Sequence, residues 1–151
     1  MKLSTKGRYG LKAMLDLAIH NNEGQVVLKS IAERQGLSEN YLEQLFAALK
    51  KAKLVKSLRG SQGGYLLGDK AENITVGDIL RALEGSLAPA DCVSEDWKGP
   101  MCENSDFCVT RGVWEKIRDG INNVIDNITL QELVDDYKAS INAKEDLIGI
   151  R

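Results

Sequence analysis

LKSIAERQGLSENYLEQLFAALKK, residues 28–51, is the stretch on which the fold turns. Leu28 to Gln35 reads as a short helix, Gly36-Leu37-Ser38 as a tight turn, and Glu39 to about Lys51 as a second helix that Ser38 caps. Ala32 lets two helices cross closely, Gly36 can take the positive φ of a sharp turn, and Leu42 and Leu45 fill the shared core. That is a helix-turn-helix pattern, although a helical hairpin without DNA affinity shares it. On the second helix Leu42, Leu45, Phe46 and Leu49 make one apolar face. Ser38, Asn40, Tyr41, Glu43 and Gln44 are left as a polar face at the N-terminal end, the end that enters a major groove. Gln44 can pair bidentately with adenine, and Glu43 can accept from cytosine N4 while repelling phosphate.

The next residues favour the DNA-binding reading over the plain hairpin. Leu54 to Leu58 reads as a strand, Arg59-Gly60-Ser61-Gln62-Gly63-Gly64 as a tip, and Tyr65-Leu66-Leu67 as the return strand. A β-ribbon directly after a recognition helix is a winged-helix arrangement. Arg59 at the tip suits a narrow minor groove, where negative potential concentrates. Lys2, Lys6, Arg8, Lys50, Lys51 and Lys56 are candidate phosphate partners.

Upstream, Ser4 caps a helix running to about His20, whose apolar face includes Leu11, Met14, Leu15, Ala18 and Ile19. His20, the only histidine, has no second histidine with which to form a metal site and reads as structural. Downstream, Thr75 and Asp78 cap a fourth helix with Val76, Ile79, Leu80 and Leu83 on its apolar face. A long helix from about Val109 to Asn127 carries the stripe Val113, Ile117, Ile121, Val124 and Ile128, which suits an isologous dimer or packing within its own subunit. Gly112 and Gly120 would permit another backbone to approach it closely. Thr129-Leu130-Gln131-Glu132 opens a short last helix to about Tyr137.

The expected fold is therefore mainly α: a winged helix-turn-helix domain with a long C-terminal dimerisation helix and a cysteine-bearing loop. Its divisions are 1–84 for DNA binding, 85–108 for the loop, 109–137 for the dimerisation and short terminal helices, and 138–151 as a tail.

The net charge of −2 hides a division, because residues 1–70 hold 12 Lys/Arg against 6 Asp/Glu and residues 71–151 hold 8 against 16. The basic half suits phosphate and the acidic half should point away from a duplex. No apolar run approaches the ~18 residues of a membrane span, and the first residues lack the apolar stretch of a secretory signal. A cytoplasmic protein with no membrane partner is expected.

All three cysteines, Cys92, Cys102 and Cys108, fall in the loop that also holds both prolines, Pro89 and Pro100. An odd number of thiols cannot form a closed disulfide framework, which favours metal ligation or redox chemistry. Thiolates at this spacing can hold an iron–sulfur cluster, and zinc or redox-active thiols remain alternatives. The loop has no histidine to act as a base and no Cys-x-x-Cys pair, so neither an enzyme nor a small-molecule substrate is expected.

Four segments together carry a resemblance: residues 1–10 (MKLSTKGRYG), 41–46 (YLEQLF), 59–67 (RGSQGGYLL) and 127–133 (NITLQEL). Over residues 1 to about 137 the chain resembles the family of the iron–sulfur cluster regulator IscR and its winged-helix relatives. The resemblance implies a homodimeric bacterial transcription factor that binds a palindromic operator in double-stranded DNA and controls iron–sulfur cluster assembly genes. It implies a cluster near the dimerisation helix with Cys92, Cys102 and Cys108 as ligands, 2Fe–2S in the IscR branch and 4Fe–4S in some others. Those other branches sense nitric oxide, redox state or iron. The match is incomplete at the fourth ligand. Arg111 stands where the IscR branch has a histidine, and Arg8 stands where the nitric-oxide-sensing branch has an acid. The first cysteine gap is also longer than in IscR. Oxygens of Asp96, Glu103 or Asp106, a residue of a partner subunit, or water are the candidates for that place.

Overall fold

The computed structural model describes residues 3–60 and 63–149. Ser4 caps α1 (Thr5–His20) by accepting from the Lys6 N–H at 3.2 Å. The turn pair follows as α2 (Leu28–Gln35) and α3 (Glu39–Lys51). Gly36 ends α2 in the left-handed region at φ 65°, and Ser38 Oγ accepts from the Tyr41 N–H at 3.1 Å to start α3. A two-stranded antiparallel wing, β1 (Val55–Leu58) and β2 (Gly64–Leu67), pairs Val55 with Leu67 and Leu58 with Gly64. β1 starts at Val55 because Leu54 is spent in the turn after α3: Lys53 takes φ 64° and the Leu54 N–H donates back to Leu49 O at 3.0 Å. Residues 61 and 62 of the wing tip lie outside the described residues, as does Lys2.

α4 (Val76–Glu84) starts with the capping box expected of Thr75 and Asp78. α5 (Val109–Asp126) and α6 (Leu130–Ile148) complete the chain, α6 beginning with the Thr129–Glu132 capping box. One core joins these elements other than α5. Met14 and Leu17 of α1, Ile31 of α2, Leu42, Phe46 and Leu49 of α3, Ile79 of α4 and Leu130 of α6 are all fully buried. Each such side chain contributes about 1.5–3 kcal/mol relative to exposure. Phe46 also meets the ring of Tyr65 edge-on at 4.8 Å, fixing the wing to α3.

Asp16 is the one buried charged residue among those described. The Arg34 guanidinium grips it, with Nη2 2.7 Å from Oδ1, and Gln35 Nε2 donates to Oδ2 at 2.9 Å. This pins α1 to α2. His20 takes a structural place beside it, its Nδ1 donating to the Asp16 carbonyl at 2.8 Å.

Two expectations need correction. The last helix does not end near Tyr137. It continues to Ile148, because residues 138–148 contain neither Gly nor Pro, and Gly149, at φ 72°, supplies the left-handed stop. The described part of the supposed tail is therefore helix. Nor is 85–108 irregular throughout: short helical turns form at Asp91–Val93 and Ser105–Phe107. The carboxylate of Asp96 accepts from the Ser86 N–H at 2.7 Å, closing residues 86–96 on themselves.

Candidate nucleic-acid interface and cysteine loop

On α3 the polar face stands as the sequence suggests. Ser38, Asn40, Glu43 and Gln44 are exposed and lie opposite the buried Leu42, Leu45, Phe46 and Leu49. Glu43 lines a cleft of about 700 Å³ between α2, α3 and the wing, with Lys29 and Tyr65 on its other walls. Tyr41 differs from its neighbours. It is half-buried, its ring meets that of Tyr9 edge-on at 6.2 Å, and its hydroxyl is hydrogen-bonded to Thr5 Oγ1 at 3.1 Å. Arg59 is exposed at the described edge of the wing tip, and Lys6, Arg8, Lys50, Lys51 and Lys56 are exposed as well.

A link that the sequence did not suggest fixes the start of α1. The Glu84 carboxylate, on the last residue of α4, accepts from the Ser4 N–H at 3.0 Å and the Gly7 N–H at 2.9 Å, and from the Ser4 hydroxyl. Gly7 leaves room for this contact: a Cβ there would sit 2.7 Å from Glu84 Oε1, and the carboxylate would have to shift. A Cβ on Gly10 would collide with the Leu83 side chain. The Gly-x-x-Gly spacing on one helix face was the available signal of this close approach.

The cysteines occupy the loop between α4 and α5. Cys92 is half-buried beside the buried Val93, whose carbonyl accepts from Arg118 Nη1 at 3.1 Å. Cys102 and Cys108 are exposed. Cys108 is the N-cap residue of α5, with Sγ 3.2 Å from Thr110 Oγ1. The Thr110 hydroxyl, and then the N–H of Arg111, hold the Cys108 thiol below its ordinary value. Among the described residues no three His, Cys, Asp or Glu side chains converge as a metal site. The donors fit a soft metal centre in kind, three thiols of which one is biased toward thiolate, while their arrangement is open. Asp96 is occupied with Ser86 N, whereas Glu103 and Asp106 are exposed. Arg111 points along α5, its Nε 3.4 Å from Glu115 Oε1.

α5 buries no residue within the single chain. Val113, Trp114, Ile117 and Val124 are exposed, and nothing lies against Gly112 or Gly120. Among the described residues no helix is long and apolar enough to cross a membrane.

Residues 3–136 match the family model described as Rrf2, iron-dependent transcriptional regulator. The chain belongs to the Rrf2 family. It is 46% identical over 134 residues to the HTH-type transcriptional regulator IscR of Pectobacterium atrosepticum, covering 89% of this chain and 79% of that protein. The structure of T. potens IscR superposes with a TM-score of 0.74 at 52% identity, covering 93% of this chain and 90% of that one. The structure of CymR, the global cysteine regulator of B. subtilis, superposes with a TM-score of 0.71 at 47% identity, covering 89% of this chain and 97% of that one. This Rrf2 protein is thus a DNA-binding transcription regulator with a winged helix, and its relatives are regulators rather than enzymes.

Proposed function

We propose that this Rrf2 protein is a homodimeric, cluster-responsive regulator that reads a palindromic operator and controls genes of iron–sulfur cluster assembly. The observation that carries the reading is the joint placement of the three thiols and α5. Cys92, Cys102 and Cys108 share one loop, Cys108 opens α5, and the apolar face of α5 is uncovered in the single chain. A second copy placed on that face brings two wings and two α3 helices into two-fold relation, as half-sites ~34 Å apart require.

Cys92, Cys102 and Cys108 are the residues to hold the cluster, with 2Fe–2S favoured from the resemblance to IscR and 4Fe–4S as the alternative. When bound, such a cluster supplies a centre sensitive to oxidant and to iron supply, and a non-cysteine fourth ligand leaves it less firmly held. The protein's own part is to convert the state of the loop into the spacing of its α3 helices. Groove reading falls to Ser38, Asn40, Tyr41, Glu43 and Gln44, minor-groove contact to Arg59, and phosphate contact to Lys6, Arg8, Lys50, Lys51 and Lys56. A redox-sensing regulator of the same fold is the second reading. The solvent exposure of Cys102 and Cys108 and the thiolate bias of Cys108 favour it.

Visible absorption of anaerobically purified protein, with iron and sulfide analysis, separates the two. Charge-transfer bands lost in each single Cys→Ala variant support the cluster. Colourless protein, or stoichiometric zinc, contradicts it.

A further inference from the structure

Two hydrogen-bonded links meet at the first turn of α1. One comes from the end of α4: Glu84 accepts from Ser4 N and Gly7 N. The other goes to the first turn of α3, where the Tyr41 hydroxyl is hydrogen-bonded to Thr5 Oγ1. Glu84 is immediately followed by Gly85, the C-cap of α4, and then by residues 86–96, which Asp96 closes and which carry Cys92. Val93 in that closed segment is tied to α5 through Arg118. The cysteine-bearing segment thus continues along the chain from Glu84, whose hydrogen bonds to the first turn of α1 lead on through Thr5 to the groove end of α3.

We infer that Glu84 and Thr5 are positioning residues for operator reading: Glu84 places the first turn of α1, and Thr5 on that turn fixes Tyr41 and with it the base-contacting end of α3. The geometry leaves little slack. Gly7 and Gly10 let the α1 backbone pack directly on the Glu84 and Leu83 side chains, and three hydrogen bonds hold the Glu84 carboxylate to the first turn, so a displacement at the end of α4 is passed to α1 through these two side chains. Tyr41 is held by more than its hydroxyl, because the Tyr9 ring meets it edge-on from the same helix. Packed elements with few soft contacts transmit small shifts in this way. The link gives the loop a route to base preference within one subunit, separate from any change in half-site spacing.

The inference rests on the reading of α3 as the groove helix, and the test keeps the two apart. Duplexes selected from a random pool by the wild-type protein serve as probes, and relative affinity is measured for each single-base variant at several salt concentrations. Glu84→Ala and Thr5→Ala should each change relative affinity at the same base positions, by about twofold to thirtyfold, the range for residues acting through others. Thr5→Ala changes no charge and should leave the salt slope unmoved. Glu84→Gln retains an acceptor oxygen for the Ser4 and Gly7 N–H groups and should restore most of the wild-type profile. The double variant Glu84→Ala/Thr5→Ala should change the profile no more than the larger single effect, because both act through one turn.

Gln44→Ala is the control for α3. If it alters base preference while Thr5→Ala and Glu84→Ala both leave the profile as in wild type, even where Glu84→Ala lowers Tm, Glu84 is merely a helix cap and the inference is overturned. If Gln44→Ala also changes nothing, the groove assignment of α3 fails and the inference fails with it. Should Glu84→Ala not fold, an unaltered Thr5→Ala profile is sufficient to overturn it.

Discussion

Arg81 on α4 holds Asp126 at the end of α5 through two hydrogen bonds, Nη1 to Oδ1 at 2.7 Å and Nη2 to Oδ2 at 2.8 Å. Nη2 also donates to Asn122 Oδ1 at 2.9 Å. With Val76 N bonded to Ile128 O and Leu130 N to Ile74 O, this fork fixes the angle at which α5 leaves the DNA-binding core.

Arg81→Ala should cost little global stability, about 1 kcal/mol or less, because both partners keep over a third of their side-chain surface in water. Gly77→Ala should cost more, roughly 1–3 kcal/mol. Its new methyl would collide with Asp126 Oδ1 and sit 2.8 Å from Arg81 Nη1, breaking the fork and pushing α5 outward. Urea denaturation ranks the two, and a Gly77→Ala protein as stable as wild type would show that α5 tolerates the shift.

At the proposed DNA face, Gln44→Ala should lose about 1–3 kcal/mol of discrimination at one base position. Arg59→Ala should weaken binding most where A·T-rich flanks narrow the minor groove. Lys56→Ala should lower the salt slope by about two per dimer if Lys56 meets phosphate. Filter binding across a salt series checks all three. An unchanged slope marks Lys56 as a solvated charge.

Glu84 gives a pH expectation with a definite sign. Burial pushes its carboxyl up, but hydrogen bonds from the Ser4 hydroxyl, the Gly7 N–H and the Ser4 N–H, with the charge of Lys6, outweigh this and leave it below the ordinary value. A carboxyl depressed in the folded state stabilises the fold above its unfolded pKa, and that contribution is lost as pH falls through the folded value. Glu84→Gln should therefore flatten the loss of stability in that acid range and leave its slope near neutrality unaltered. Identical acid-range slopes in wild type and variant would contradict the assignment.

The α5 face offers a test of assembly. Ile117→Glu places a charge in the stripe of Val113, Ile117, Ile121 and Val124 and should yield a monomer with an intact helical spectrum, because Ile117 is not part of the subunit's own core. Sedimentation equilibrium decides. A variant that remains dimeric would move the seam off this face.

Most of the fold was legible because local signals agree along the chain. Ser38, Thr75 and Thr129 cap helices where short polar side chains precede an apolar period, and Gly36 sits where the turn demands a positive φ. The polar face of α3 followed from the same periodicity. What escaped was non-local. Nothing near Ser4 announces that Glu84, eighty positions later, will cap it, and nothing in Tyr41 reveals that its hydroxyl will meet Thr5. The true end of α6 was missed because a mixed, charged sequence resembles a tail, whereas residues such as Ala139, Ala143, Lys144 and Glu145 are good helix formers. The fourth ligand of the proposed cluster is not set by local pattern either, because Asp96, Glu103 and Asp106 within the loop, a residue of a partner subunit and water all offer an oxygen.

The central claim is that DNA binding answers to what Cys92, Cys102 and Cys108 hold. The most direct measurement compares affinity for one selected duplex, at fixed salt and without oxygen, between protein purified with its cluster and the same preparation after chelation. A difference of about fivefold or more, the scale of ordinary coupling between sites, is expected, and it should vanish in Cys92→Ala, Cys102→Ala and Cys108→Ala proteins. Equal affinity in the two states would contradict the claim.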